Sequence, residues 1–188
     1  MNLTQGVKTI MPKHKINYNS WPLDCLANYI EKLQHKTITD KSKSILQNMT
    51  LVKSSCTIPN NYFMQLEDLF TESVNRLSAH MKKEEQHLFP FINEMMQAKE
   101  LNRGINRIAL DKIEWLIELL NDEHAIERKR LKSGAELRAN CIAISNVNRP
   151  LNTLLTGLAE FEEACELHID LQYKFLFPKI LIAKYAVA

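Results

Sequence analysis

The segment that decides the fold runs from residue 80 to residue 90 and has the sequence HMKKEEQHLFP. The chain repeats its outline between residues 168 and 178 as HIDLQYKFLFP. In each copy a histidine is followed four positions later by Glu84 or Gln172, and Leu-Phe-Pro comes at the same offset. Residues four apart on a helix share one face, about 6 Å apart. Each copy therefore predicts a helix that directs an imidazole and a carboxylate or amide toward one point.

Outward from these two segments, apolar residues recur every three to four positions in four long stretches. The expected helices cover about 22–48, 62–99, 105–132 and 150–185. Ser20 and Pro22 are typical of a helix start, Pro90 predicts a kink, and Gly134 after a basic run predicts a helix end. The pattern predicts an all-α, up-down-up-down four-helix bundle over residues 21–188, preceded by an irregular lead-in at residues 1–20.

Composition narrows the classes of function. The 188 residues carry a net charge of +2, with 45% apolar and 24% charged residues. These values are ordinary for one globular domain and give no reason to expect a nucleic-acid or membrane partner. No stretch reaches the roughly 18 apolar residues that span a bilayer, and the N-terminus has no signal-peptide core. The four cysteines are far apart in sequence, so we expect free thiols and a cytoplasmic location.

Four of the six histidines fall near the middle of the four expected helices, one on each helix. These histidines are His35, His80, His124 and His168. His80 and His124 lie about 20 residues on either side of the turn near Gly104, which is about 30 Å along each helix, so antiparallel packing brings them to one level. His35 and His80 are similarly balanced about the first connection. The spacing thus predicts a single layer of imidazoles across the bundle.

Such a layer matches the donor set of a non-haem di-iron site, where imidazoles are terminal ligands and carboxylates are bridges. Glu84 supplies one carboxylate, whereas Gln172 offers at best a weak neutral carbonyl oxygen. His87 shares a face with the histidine of the first repeat but lies about 10 Å further along the axis, so we expect it to line the site or support a ligand. Glu123 or Glu127 could supply the missing carboxylate, although solvated side chains are the simpler expectation. A hydrogen-bonded structural histidine is the alternative for each imidazole.

These residues resemble the hemerythrin-like domains, and most closely the di-iron proteins of iron–sulfur cluster repair. The likeness runs from about residue 21 to residue 179 and is strongest in the two repeats and around Asp122-Glu123-His124. It implies a four-helix bundle that holds two iron ions in a bridged centre. The implied metal ligands are His35, His80, Glu84, His124 and His168. The family's second bridge falls at Gln172, so the resemblance also implies weaker iron binding, an altered potential or a single ion.

The resemblance leaves three classes of function open. A di-iron protein of oxidative and nitrosative stress defence would restore damaged iron–sulfur proteins by delivering iron or by reacting with nitric oxide. A hemerythrin-like carrier or sensor would bind oxygen or nitric oxide reversibly and keep its iron. A degenerate member that binds metal poorly would act as a helical interaction module, and Gln172 is the support for that alternative. No nucleophile elbow, phosphate loop or basic stripe favours a hydrolase or a nucleic-acid protein.

Overall fold

The computed structural model describes residues 16–55, 61–142 and 149–187, and these form the all-α four-helix bundle that the sequence predicts. Helix α1 consists of Leu23–Tyr29, a π-helical turn at Ile30–Gln34, and His35–Ser55. Helix α2 consists of Asn61–Lys83, a π-helical turn at Glu84–Leu88, and Phe89–Glu100. Helix α3 is a single α-helix, Arg107–Ile142. Helix α4 consists of Arg149–Leu171, a π-helical turn at Gln172–Leu176, and Phe177–Ala183.

The helices run up, down, up and down, with α1 packed against α4 and α2 packed against α3. Short 3₁₀ turns at Tyr18–Ser20 and Lys184–Ala186 flank the bundle. The first fifteen residues of the expected lead-in lie outside the described residues, while the ring of Tyr18 packs against Trp21 and Tyr29. Within the described ranges, no helix has the length and hydropathy needed to cross a membrane.

The apolar core is divided into two clusters, one toward each end of the bundle. Side chains from residues 23–30, 88–98, 105–120 and 171–187 form the first cluster. Side chains from residues 38–52, 63–81, 131–141 and 154–169 form the second. Every helix carries a buried histidine where the two clusters meet: His35 and His124 lie between them, and His80 and His168 lie one residue before the last member of the second cluster on their own helices. The division places a buried polar layer across the middle of the bundle.

Two of the π-helical turns precede the prolines of the repeated Leu-Phe-Pro segments. In these turns the backbone N–H of Phe89 donates to the carbonyl of Glu84, and that of Phe177 donates to the carbonyl of Gln172. Each bond spans five residues instead of four. Proline has no N–H to donate, and its ring crowds the carbonyl four positions before it, so a wider turn relieves both constraints. At Pro90, where the sequence predicts a kink, the helix continues through this turn.

Two helices extend further than the sequence predicts. Helix α1 continues past Asn48 to Ser55, because Met49 and Val52 keep its apolar face buried. Helix α3 passes through Gly134 instead of ending there. A glycine in a helix costs about 1 kcal/mol relative to alanine, and the burial of Cys141 together with the ion pair between Arg138 and Glu162 outweighs this local cost.

The other helix boundaries agree with expectation except at the start of α1. Helix α2 ends at Glu100, and Asn102 adopts the left-handed conformation that closes it, with φ of 49°. Pro22, and not Ser20, holds the N-cap position of α1, and it makes no side-chain capping bond.

Candidate metal centre

The polar layer collects buried side chains from all four helices. It contains His35 from α1, His80 and Glu84 from α2, His124 from α3, and His168 and Gln172 from α4. Single ligating atoms of four of them, three histidines and Glu84, all lie within 4.8 Å of one another. Neutral imidazoles and a carboxylate are the donors that iron, zinc and manganese use in proteins. This buried cluster could therefore bind a metal ion.

Glu84 lies at the centre of the cluster and is fully buried. Its Oε2 accepts a hydrogen bond of 2.7 Å from Nε2 of His35 and lies 3.8 Å from Nε2 of His168. Its Oε1 lies 2.9 Å from Nε2 of His80 without hydrogen-bond geometry, and Nε2 of His80 is in turn 2.9 Å from Nε2 of His124. Oε2 thus faces two imidazoles, those of His35 and His168, while Oε1 faces His80, which in turn contacts His124.

Gln172 is the counterpart of Glu84 on α4 and is equally buried. Its amide nitrogen donates to Nε2 of His168 over 3.0 Å. Its Oε1 has no hydrogen-bond partner among the described residues. The repeat therefore places an uncharged group at the position where the first copy places a carboxylate.

Two further carboxylates fix the orientation of two imidazoles from outside the layer. Nδ1 of His35 donates to Glu85 and Nδ1 of His80 donates to Glu123, each over 2.8 Å. Lys83 also pairs with Glu123. A carboxylate on the outer nitrogen leaves the inner nitrogen of each imidazole directed at the cluster and makes it a stronger donor toward a metal.

The phenylalanines of the two Leu-Phe-Pro segments cover the cluster on one side. The ring of Phe177 stacks on His124, with centroids 5.9 Å apart and planes at 17°. The ring of Phe89 contacts His35 at 5.6 Å between centroids. Both phenylalanines are buried in the first apolar cluster. Each repeat therefore supplies a donor and, one turn later, an aromatic ring that excludes water from a histidine on another helix.

In the cluster without metal, neighbouring carboxylates raise the pKa of two imidazoles. Burial alone would lower the pKa of His80, but the charge of Glu84 and the hydrogen bond to Glu123 raise it to about 9. The same competition, with Glu84 and Glu85 as partners, raises the pKa of His35. Burial acts to raise the pKa of the Glu84 carboxyl, yet the positive charge of His80 helps to hold it well below its usual range. A metal ion must displace protons from these imidazoles.

The other two imidazoles are held neutral. Burial lowers the pKa of His124 to about 2, and the nearby charge of His80 acts in the same direction. Burial also lowers the pKa of His168 to about 4, against the opposing effect of Glu84. Neutral imidazole is the form that binds a metal, so these two donors need lose no proton.

A cavity of about 230 Å³ opens between α2 and α3 onto His80 and His124. Glu127, three residues after His124, lines it and is only 3% exposed. Its Oε2 accepts a hydrogen bond of 3.3 Å from Arg130, whereas its Oε1 has no hydrogen-bond partner in the described part of the chain. The cavity gives small molecules and ions a path toward two of the imidazoles.

The structure brings together six of the seven side chains that the sequence singled out. The exception is His87, which is exposed and lines a surface groove beside Trp115. Solvated positions were the simpler expectation for Glu123 and Glu127, whereas Glu123 contacts His80 and Glu127 is buried; Glu85 is exposed but reaches His35. The available signal was position, because Glu85 and Glu123 each adjoin a histidine or glutamate of the layer and Glu127 lies one turn after His124.

The chain is similar to several proteins named for iron-sulfur cluster repair. It is 23% identical over 177 residues to the iron-sulfur cluster repair protein ScdA of Staphylococcus epidermidis, covering 94% of this chain and 72% of that protein. It is 22% identical over 172 residues to ScdA of Staphylococcus haemolyticus, covering 90% and 73%. A probable iron-sulfur cluster repair protein of Haemophilus influenzae is 31% identical over 126 residues, or 67% of this chain and 49% of that protein. No family model matches the chain.

Proposed function

We propose that this chain is a non-haem iron protein of oxidative and nitrosative stress defence that helps to restore damaged iron–sulfur clusters. The observation that carries the proposal is the buried cluster of three histidines and Glu84 with ligating atoms within 4.8 Å of one another. The similarity of the chain to proteins named for iron-sulfur cluster repair supports iron as the metal and iron–sulfur proteins as the partners. We place this function in the cytoplasm, where thiols such as the exposed Cys25 remain reduced.

Glu84 is the side chain around which a di-iron centre would form. In this arrangement the imidazoles of His35, His80, His124 and His168 would be the terminal ligands, and Glu84 would supply the shared carboxylate. The support is the placement of His35 and His168 beside one oxygen of the Glu84 carboxylate and of His80 beside the other. Iron in such a site supplies redox chemistry and a binding position for diatomic molecules.

The protein's own residues would orient the ligands and keep the site dry. Glu85 and Glu123 fix the outer nitrogens of two imidazoles, which presents the inner nitrogens to a metal. Phe89 and Phe177 cover two imidazoles and strengthen electrostatic interactions by excluding water.

A second candidate function is reversible binding of oxygen or nitric oxide by a carrier or sensor. The cavity that opens onto His80 and His124 favours it, because a diatomic molecule needs a path to the metal. The two functions differ in the fate of the iron, which leaves a repair protein and stays in a carrier.

Iron transfer tests the proposal. Iron-loaded protein is incubated with a purified [4Fe–4S] dehydratase whose cluster has been damaged by nitric oxide, and recovery of dehydratase activity is measured with the iron content of both proteins. We expect recovery coupled to loss of iron from this protein, and neither effect with His124→Ala. The matched control is His87→Ala, which removes a surface histidine and should behave as wild type. Gas binding without iron loss would favour the carrier, and a chain that binds no iron would favour an interaction module.

A further inference from the structure

Glu84 and Gln172 hold corresponding places in the two repeats but differ in charge. Each follows a histidine by four residues, each is fully buried, and each is the first residue of a π-helical turn. The backbone and the burial of the two positions therefore match. The difference between them is one negative charge at the centre of the cluster.

The amide of Gln172 lies on one side of the cluster. Its nitrogen is 3.0 Å from Nε2 of His168. On that same side Oε2 of Glu84 is shared between His168 and His35. Glu84 is therefore the one carboxylate among the six residues of the layer, and it has to serve both sides.

The imidazoles also differ in how well they converge. Ligating atoms of His80, Glu84, His124 and His168 form a compact set within 4.8 Å, and His35 is outside that set. Both ring nitrogens of His35 are engaged by carboxylate oxygens, Nε2 by Glu84 and Nδ1 by Glu85. A metal ion on the His35 side would have to displace the Glu84 bond, and Gln172, the counterpart of Glu84 in the second repeat, offers no second carboxylate in exchange.

We propose that the centre is unequal: it retains one divalent ion at the compact set of three histidines and Glu84, and binds a second ion beside His35 weakly. One ion with Glu84 leaves a net charge of one unit in the dry layer. Two ions with the same single carboxylate leave a net charge of three units in the layer, while Glu85 and Glu123 lie outside it and are partly exposed. Buried charge with so little counter-charge is strongly unfavourable. The second ion is therefore the one that exchanges.

This inference rests on the proposed function and identifies which ion would be delivered. A protein that gives up its only ion must reorganise the buried polar layer after every delivery of iron. An unequal centre can give up the ion beside His35 while the retained ion keeps α2, α3 and α4 in register.

Anaerobic titration with ferrous ion tests the inference. Binding to metal-free protein is followed by calorimetry, and release from loaded protein is followed with a ferrous chelator. We expect the first ion to bind at least about 100-fold more tightly than the second, and release to show a fast phase of at most one ion. Gln172→Glu should bring the two affinities within about tenfold and remove the fast phase. The matched control is Gln47→Glu, which adds the same charge on the surface of α1.

Two histidine variants keep the test decisive if Gln172→Glu folds poorly. His35→Ala should keep the tight ion and lose only the fast-release phase, whereas His124→Ala should lose the tight ion, with circular dichroism confirming helical structure in both. Two ions of equal affinity, or a tight ion lost in His35→Ala, would overturn the inference and leave the proposed iron function standing. No ion bound by the wild-type protein would overturn both.

Discussion

Replacing Glu84 by alanine should destabilise the protein even in the absence of metal. The carboxylate is fully buried, and its oxygens lie 2.7 Å from Nε2 of His35 and 2.9 Å from Nε2 of His80. The pKa of His80 is raised from 6.5 to about 9, and at about 1.4 kcal/mol per unit this corresponds to about 3 kcal/mol, shared between Glu84 and Glu123. Removing one partner of a buried ion pair typically costs about 3–5 kcal/mol. We therefore expect a loss of about 3 kcal/mol at pH 7.

Urea unfolding of chelator-treated protein, followed by circular dichroism, measures this loss. For a chain of this size it corresponds to a melting temperature lower by about 6–12 °C. Glu84→Gln keeps the side-chain volume, so comparing it with Glu84→Ala separates the effect of the lost charge from the effect of the cavity that alanine leaves. Glu85→Gln is the exposed control. The Glu85 carboxylate also contacts His35 but is about half exposed, so its replacement should lower the free energy of unfolding by less than about 1 kcal/mol. Metal-free Glu84→Ala as stable as wild type would refute the assignment of Glu84 as the electrostatic centre of the layer.

Three more outcomes follow from the structure. The pKa of His80 is raised to about 9, so its contribution to stability is complete below pH 6.5 and is lost as the pH rises through 9. The pKa of His168 is lowered to about 4, so its contribution to stability is present above pH 6.5 and is lost as the pH falls toward 4. Urea unfolding should therefore find metal-free protein most stable near neutral pH. A free energy of unfolding that does not change from pH 5 to 9 would contradict these pKa shifts of His80 and His168. Phe177→Ala should cost about 3–5 kcal/mol and speed iron release, because the ring is buried and stacks on His124; unchanged release with Phe177→Ala would mean that the ring does not shield the site. Gly134→Ala should raise stability by up to about 1 kcal/mol, since its φ is not positive and an added Cβ meets its nearest atom at 3.7 Å; destabilisation would show that the helix is strained there.

The bundle and its histidine layer could be predicted because both follow from periodicity. Apolar residues three to four apart define the helices, and equal distances from the turns place one histidine of each helix at the same level. The two repeats add a donor pair at a fixed offset. Helical periodicity and the four-residue offset are properties of one segment, so they do not depend on which helix packs against it.

The helix ends and the outer carboxylates could not be predicted in the same way. Gly134 is a local stop signal, yet packing beyond it keeps α3 helical to Ile142. Glu123 and Glu127 are polar residues on a charged stretch, and only the position of α2 determines that they face His80 and the cavity. Such outcomes depend on contacts between helices, which a single sequence does not specify.

The π-helical turns set the rotational phase of the two repeats. A turn closed over five residues holds one residue more than an α-helical turn, and one residue corresponds to about 100° of rotation about the axis. Without that extra residue, Phe89 and Phe177 would point about 100° away from the imidazoles they now cover. Deleting a single residue from either turn would thus leave the helix intact and misdirect everything after it, so the length of these turns is constrained as tightly as the identity of the donors.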